Sequence, residues 1–200
     1  LKDDKLKPLC VVVEPHYNGP AFANCLVIKD GRAAWSEICS KLAGKPNEKL
    51  RFIGVTGTNG KTSVVHLLRS ILETSGLHAG SWGTLSGERT TPEATHLQAT
   101  IAGWVDDGVE AAAIEVSSHA LAQRRVDGIT FAAVGFTTLG RGHLGFHGSP
   151  AVYEAAKARL FEEGFSNHAV VNVGDAAGTR MASVAEAAGL LVVRVDPVGT

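Results

Sequence analysis

Arg51-Phe-Ile-Gly-Val-Thr-Gly-Thr-Asn-Gly-Lys-Thr-Ser63 is the stretch that decides the fold. A β-branched apolar run enters it, Gly57 and Gly60 interrupt it, and a helix-forming segment headed by Lys61, Thr62 and Ser63 leaves it. That order reads as strand, phosphate loop and helix start. Glycine reaches backbone angles closed to other residues, so the amides of Gly57, Thr58, Asn59 and Gly60 can curl around a phosphate. Lys61 adds a point charge, and the Thr62 hydroxyl can ligate a phosphate-bound Mg²⁺. The strict P-loop spacing puts its first glycine at Val55, so the match is to the variant Gly57-Thr-Asn-Gly-Lys-Thr62. A glycine-rich turn that binds nothing is the plain alternative, and the required order of strand, glycines, Lys-Thr and helix argues against it.

Downstream, Val64, Leu67, Leu68, Ile71 and Leu72 form an apolar helical stripe that ends at Gly76. A short strand is expected near 78–82, then a loop over 83–87. Thr90-Thr-Pro-Glu-Ala94 opens another helix, with Thr91 as cap, Pro92 at its first position and Glu93 complementing the dipole. Leu97, Ile101 and Trp104 lie on one face, and Gly108 stops it. Residues 110–116 are a continuous apolar run, as for a central parallel strand covered on both faces. Further strands are expected at 131–137, 169–172 and 190–195, with helices at 151–163 and 179–188 between the last three. Strands alternating with helices predict an α/β fold, a doubly wound and mostly parallel sheet.

Upstream, strand-like runs at 9–13 and 25–28 precede a helix over 32–43, with Trp35, Ile38, Cys39 and Leu42 on its buried face. Gly44-Lys-Pro46-Asn is the candidate domain boundary. The chain has 200 residues, 44% of them apolar, and a net charge of −1, which argues against disorder and against a broad nucleic-acid surface. Cys10, Cys25 and Cys39 contain no Cys-x-x-Cys pair, so the chain reads as reduced and cytoplasmic, without a disulfide or zinc framework. No apolar run approaches the roughly 18 to 20 residues of a membrane span, and no signal peptide opens the chain. Leu1 at the start and an unfinished end suggest a piece of a longer protein.

Ligands of such sheets bind beyond the carboxyl ends of the strands. The phosphate loop lies there, as does Glu115, followed by Ser117, Ser118 and His119. A carboxylate among apolar neighbours needs a cation, and Mg²⁺ on ATP is the natural one; a solvated edge residue is the alternative. His143 and His147 fall in the glycine-dense loop 137–148, where spacing alone leaves them as polar loop residues. Lys157 shares a helix face with Tyr153, Leu160 and Phe161, so it either snorkels or is buried with a lowered pKa.

Several segments in order then resemble the Mur ligases, above all the MurE-type branch. They are Gly54-Val-Thr-Gly-Thr-Asn-Gly-Lys-Thr62, Thr90-Thr-Pro-Glu-Ala94, Ile114-Glu-Val-Ser-Ser-His-Ala-Leu121, Gln123, Arg125-Val126, Phe136-Thr137, His143-Leu144, Phe146-His-Gly148, Tyr153, Ala156-Lys157 and Leu160-Phe161. Asp30-Gly-Arg32 and the helix after it look like the end of that family's uridine-binding domain. The resemblance implies residues 1–46 as a remnant of that N-terminal domain and linker, and residues 47–200 as the central ATP-binding domain without its C-terminal part or the C-terminal ligase domain. It implies a monomeric, ATP-dependent amide ligase of peptidoglycan synthesis. That enzyme phosphorylates the D-Glu carboxylate of UDP-MurNAc-L-Ala-D-Glu, and the amine of the third stem-peptide amino acid displaces the phosphate. Lys61 and the loop amides would hold ATP. Thr62 and Glu115 would bind one Mg²⁺, and His143 with Lys157 as its carbamate a second, while Thr90, Thr91, Ser117, Gln123 and Arg125 would contact the precursor.

The chain departs from the family pattern in two places. Where the family reads Thr-Asn-Leu-Ser/Thr-x-Asp-His-Leu-Asp, this sequence has Thr137-Thr-Leu-Gly-Arg-Gly-His-Leu-Gly145, and Gly174 replaces a further Asp. These substitutions motivate a second reading, a non-catalytic ATP-binding module. A folylpolyglutamate or cyanophycin type of ligase is a third, against which the Thr90-Thr-Pro and Ser117-Ser-His segments argue.

Overall fold

The computed structural model describes residues 10–87, 89–140 and 142–197. Leu9, expected to open the first strand, lies outside them. Two short strands, β1 (Val11–Val13) and β2 (Cys25–Val27), pair in parallel and lead to helix α1 (Gly31–Leu42), which Asp30 caps through the amides of Arg32 and Ala33. The apolar stripe expected on α1 is corrected. Trp35 and Leu42 are 51% and 82% exposed, and the buried face is Ser36, Cys39 and Ser40. The cause is the surface beneath the helix, a backbone turn at 125–128. Ser36 Oγ donates to the Arg125 carbonyl and accepts from the Gly128 amide, and a Cβ on Gly128 would stand 2.6 Å from the Ser36 carbonyl oxygen. So close an approach of helix to backbone admits only small side chains, and Trp35 turns outward.

A 3₁₀ turn at Pro46–Glu48 then leads into the main sheet. Its elements are β3 (Arg51–Thr56), α2 (Lys61–Thr74), β4 (Ala79–Trp82), α3 (Ala94–Asp106), β5 (Ala111–Glu115), α4 (Ser118–Ala122), β6 (Ala133–Phe136), α5 (Leu144–His147), α6 (Pro150–Ala158), β7 (His168–Asn172), α7 (Ala176–Ala187) and β8 (Leu191–Val195). The strand order is β4-β5-β3-β6-β7-β8, and every pairing is parallel. Right-handed crossovers explain the layers. The chain leaves β3 toward one edge through α2 and afterwards steps back across the sheet, so α3, α4, α6 and α7 collect on the opposite face. The larger core lies on that face and joins Phe52, Leu97, Ile101, Ile114, Leu121, Phe161 and Met181. A smaller one joins Val55, Val65 and Ala113 beneath α2.

The stripe expected on α2 is corrected in the same way. Val65 is its buried residue, while Leu67 and Ile71 are exposed. One helix covers β3, β4 and β5, and beside it the face of β6 to β8 carries an apolar groove of about 520 Å³ lined by Val64, Leu68, Phe136, Val170 and Val195. Other boundaries shift with capping. α3 starts at Ala94 without a side-chain cap, because the Thr91 hydroxyl is drawn instead to the last carbonyl of β5, at 2.8 Å from the Glu115 oxygen. Ser149 and Asp175 cap α6 and α7, so α6 opens one residue and α7 three residues before the expected starts, and α6 passes into a 3₁₀ turn at Arg159–Phe161. The loop expected over 137–148 contains a helical turn, α5.

Candidate active site

The phosphate loop joins the carboxyl end of β3 to α2 in the middle of the sheet. Gly57 and Gly60 hold φ of 147° and 84°, and a Cβ on Gly57 would lie 1.9 Å from Thr137 Oγ1. Glycine is therefore required at position 57 twice over, by backbone angle and by space. The segment after β6 braces the loop. The Thr58 amide donates to the Thr138 carbonyl at 2.7 Å, Thr137 Oγ1 donates to the Asn59 carbonyl at 2.6 Å, and the Asn59 amide reaches Thr138 Oγ1 at 3.3 Å. Thr138, which stands where the resemblance expects Asn, thus takes part in holding the loop. Thr58 Oγ1 meets Tyr153 Oη at 3.0 Å and accepts from the Gly140 amide at 2.8 Å.

Two lysines converge on one carbonyl. Lys61 Nζ donates to Gly57 O at 3.0 Å and to Thr58 O at 3.2 Å, and Lys157 Nζ donates to Gly57 O at 2.8 Å. Lys157 is only 1% exposed, so it does not snorkel. Burial and then the charge of Lys61 bring its pKa down from 10.5 to about 7. Burial also lowers the pKa of Lys61, and the Glu115 carboxylate opposes that shift. The Glu115 carboxylate thus lies within electrostatic reach of Lys61, and both amines lie against the same loop carbonyl.

Glu115 ends β5 and is 1% exposed. Its Oε1 accepts from Thr62 Oγ1 at 2.9 Å and from the Thr84 amide at 2.8 Å, and its Oε2 lies 3.3 Å from Thr84 Oγ1. On the other side of the β5 end, Thr91 Oγ1 lies 3.3 Å from Ser117 Oγ and accepts from the Ser117 amide, while Arg125 donates to the Thr91 carbonyl at 2.8 Å. A cavity of about 300 Å³ brings Gly57, Lys61, His143 and Lys157 together with Thr90, Thr91, Ser117 and Arg125. Gln123 stays outside it. Its Oε1 accepts from Arg125, and it lines a neighbouring pocket with Arg32 and Trp35. Ser63 is exposed on α2 and borders the apolar groove rather than this cavity.

His143 is exposed, with φ of 52°, and its ring is 4.7 Å from that of His119, which also packs on Phe146 at 4.2 Å. His147 is buried with its Nε2 3.0 Å from Ser118 Oγ. Burial, ahead of the neighbouring cations, lowers the pKa of both His119 and His147. Among the described residues no group of three His, Cys, Asp or Glu side chains is placed to hold a metal ion. Thr62 and Glu115 supply a hydroxyl and a carboxylate, hard oxygen donors of the kind that bind Mg²⁺ when phosphates complete its shell. The donors present fit a nucleotide-borne Mg²⁺ and do not form a self-sufficient cage.

Sequence reading missed Gly83, Thr84 and the packing role of His119. Thr84 had a usable signal, since it follows the carboxyl end of β4 just as Lys61 follows that of β3.

A parallel sheet with a glycine-rich loop at its central strand, a hydroxyl and carboxylate pair beside that loop and two lysines against it has the architecture of a P-loop nucleotide-binding domain. The Mur ligase middle domain family matches residues 55–197, and the chain belongs to it. It is 37% identical over 195 residues to a UDP-N-acetylmuramoyl-L-alanyl-D-glutamate--2,6-diaminopimelate ligase of Geobacter sulfurreducens, covering 90% of this chain and 38% of that relative. A solved structure of a ligase of the same name superposes with a TM-score of 0.78 at 29% identity, over 94% of this chain and 40% of the other. The Mycobacterium tuberculosis folylpolyglutamate synthase complexed with ADP and AMPPCP shares the fold alone, with a TM-score of 0.63 at 16% identity over 81% and 46% of the two chains. The chain thus spans well under half the length of its relatives. Among the described residues no helix is long and apolar enough to cross a membrane.

Proposed function

We propose that residues 47–200 are the ATP-handling domain of a cytoplasmic, monomeric amide ligase, and that residues 1–46 are the end of a uridine-binding domain. The ligase adds the third stem-peptide amino acid to UDP-MurNAc-L-Ala-D-Glu in peptidoglycan synthesis. One observation carries this reading. Lys61 and Lys157 face Thr91, Ser117 and Arg125 across a single cavity, so a triphosphate on the loop would meet a carboxylate held opposite. The names of the relatives support the substrate, and the nucleotide complexes of the fold neighbour support ATP.

The residues divide the work by chemistry. Lys61 leaves its two carbonyl partners for the phosphates, and the cationic cavity draws in the anionic precursor. Arg125, Ser117, Thr90 and Thr91 hold the D-Glu carboxylate so that its oxygen attacks the terminal phosphorus of ATP. ADP departs, the acyl phosphate remains, and the incoming amine then displaces phosphate as the amide forms. Mg²⁺, held by Thr62 and Glu115, would neutralise phosphate charge. The neutral fraction of Lys157 can add its nitrogen to CO₂ with loss of a proton, which replaces a repelling ammonium by an anionic oxygen donor beside His143.

Gly142 and Gly145 favour the second reading, a non-catalytic ATP-binding module, because they leave His143 without flanking carboxylates. Precursor-dependent ADP release separates the two. In the full-length ligase that contains this chain, the ligase reading expects release from the unmodified protein at a rate comparable to a Gly142→Asp/Gly145→Asp variant. Release from the variant alone would establish degeneration, and absence of AMPPCP binding with Mg²⁺ in both would remove both readings.

A further inference from the structure

We propose that the Gly83–Thr84 turn after β4 is the positioning element for Glu115, setting its carboxylate toward the cation that accompanies the nucleotide. The proposal rests on the ligase reading of the site and adds residues outside the phosphate loop and the precursor contacts. Glu115 emerges from the strand beside β4, where Trp82 pairs with Ile114, so the turn after β4 comes directly beside the carboxylate. Three of its contacts come from two residues. Thr62 Oγ1 reaches Oε1 from the phosphate loop at 2.9 Å, and Thr84 reaches Oε1 through its amide at 2.8 Å and Oε2 through its hydroxyl at 3.3 Å. Thr62 would leave the carboxylate when it ligates the cation. Thr84 would then be the group that keeps both carboxylate oxygens in place.

Two further features fit this role. The Thr84 hydroxyl lies 3.2 Å from Thr90 Oγ1, which limits its rotation and lets it donate to Glu115 while accepting from Thr90. Gly83 is buried, and a Cβ there would stand 2.1 Å from Glu115 Oε1 and 2.6 Å from its carboxyl carbon. Gly83 is absent from the positive-φ glycines, so its backbone admits alanine and the space is reserved for the carboxylate alone. The buried carboxylate is held by one amide and two hydroxyls and fills the space that Gly83 leaves, and no ion pair to Glu115 within 4.0 Å occurs among the described residues. Outer partners of this kind tune metal affinity by roughly 10 to 100-fold.

The test is Mn²⁺ binding to the complex of the full chain with AMPPCP, with the protein in excess over the analogue, read by the electron paramagnetic resonance of free Mn²⁺ against a protein-free AMPPCP control that measures the uptake by the analogue alone. Thr84→Val keeps the amide and shape and removes the hydroxyl, Thr84→Ser restores the hydroxyl, and Gly83→Ala inserts the Cβ. We expect Thr84→Val to weaken Mn²⁺ binding by about 10-fold and Gly83→Ala by more. Thr84→Ser should fall within about 2-fold of the unmodified protein, and metal-free AMPPCP affinity should be unchanged throughout. Thermal unfolding of each variant checks that the fold is retained. Unmodified affinity in Thr84→Val and Gly83→Ala overturns the proposal while the ligase reading stands. An equal loss in Thr84→Ser and Thr84→Val also overturns it, since the hydroxyl would not be the cause. An unmodified protein that binds no Mn²⁺ with AMPPCP overturns both.

Discussion

Replacing Lys157 by methionine should stabilise this protein at neutral pH. The amine is 1% exposed, its pKa falls from 10.5 to about 7, and burial is the larger cause. In the unfolded chain the group binds a proton across this whole window, whereas in the folded chain it releases one. Stability therefore rises with pH between about 7 and 10.5 and is lowest, and flat, below 7. At about 1.4 kcal/mol per pKa unit, the folded protein carries a penalty of at most roughly 4 to 5 kcal/mol at pH 7. Methionine removes it and also removes the 2.8 Å bond to Gly57 O, which leaves that carbonyl with Lys61 at 3.0 Å. A lost charged hydrogen bond is worth about 1.5 to 3 kcal/mol, so the net gain is roughly 2 kcal/mol at pH 7. The assay is urea unfolding of both proteins at pH 6, 7, 8 and 9 with CO₂ excluded. The gap should be widest at pH 6 and 7 and should shrink by roughly 2 kcal/mol at pH 9, where about 2 kcal/mol of the penalty remains to offset the lost hydrogen bond. A gap of one size at all four values would refute the buried-amine argument.

Gly57→Ala combines φ of 147° with a Cβ 1.9 Å from Thr137 Oγ1; we expect a loss of at least about 2 kcal/mol in unfolding free energy and no measurable AMPPCP binding by calorimetry. Gly145→Asp meets nothing within 4 Å of its Cβ, and at Gly142 the nearest atom is Tyr153 Oη at 3.6 Å. Both Asp variants should melt within about 3 °C of the unmodified protein, and a much larger fall would show that the glycines serve the fold. Phe161→Ala, at a fully buried position of the main core, should cost about 3 to 5 kcal/mol in denaturant unfolding.

The strands, their alternation with helices and the phosphate loop were legible because their signals are local. β-branched runs, helical periodicity and the Gly-Lys-Thr order each sit within a few residues. The faces of helices were read less well. On α1 the apolar residues Trp35 and Leu42 point to solvent, because the helix lands on a backbone turn at Gly128 with the small side chains of Ser36 and Ser40 beside it. On α2, Leu67 and Ile71 are exposed because the helix covers only part of its sheet face. Periodicity shows that a helix has an apolar side but not what it will meet.

The site divides the same way. Residues 51–63 were enough to place a glycine-rich loop between a strand and a helix, since a glycine turn, a lysine and a hydroxyl are contiguous there. Whether Lys157 snorkels or is buried, and whether the amine lies against Gly57, depended on packing across 100 residues of sequence. So did the hold of Thr84 on Glu115, 31 residues away. Burial, which moves the Lys157 pKa, and the room that Gly83 leaves for Glu115 are properties of space between elements, and only the tertiary structure decides that space.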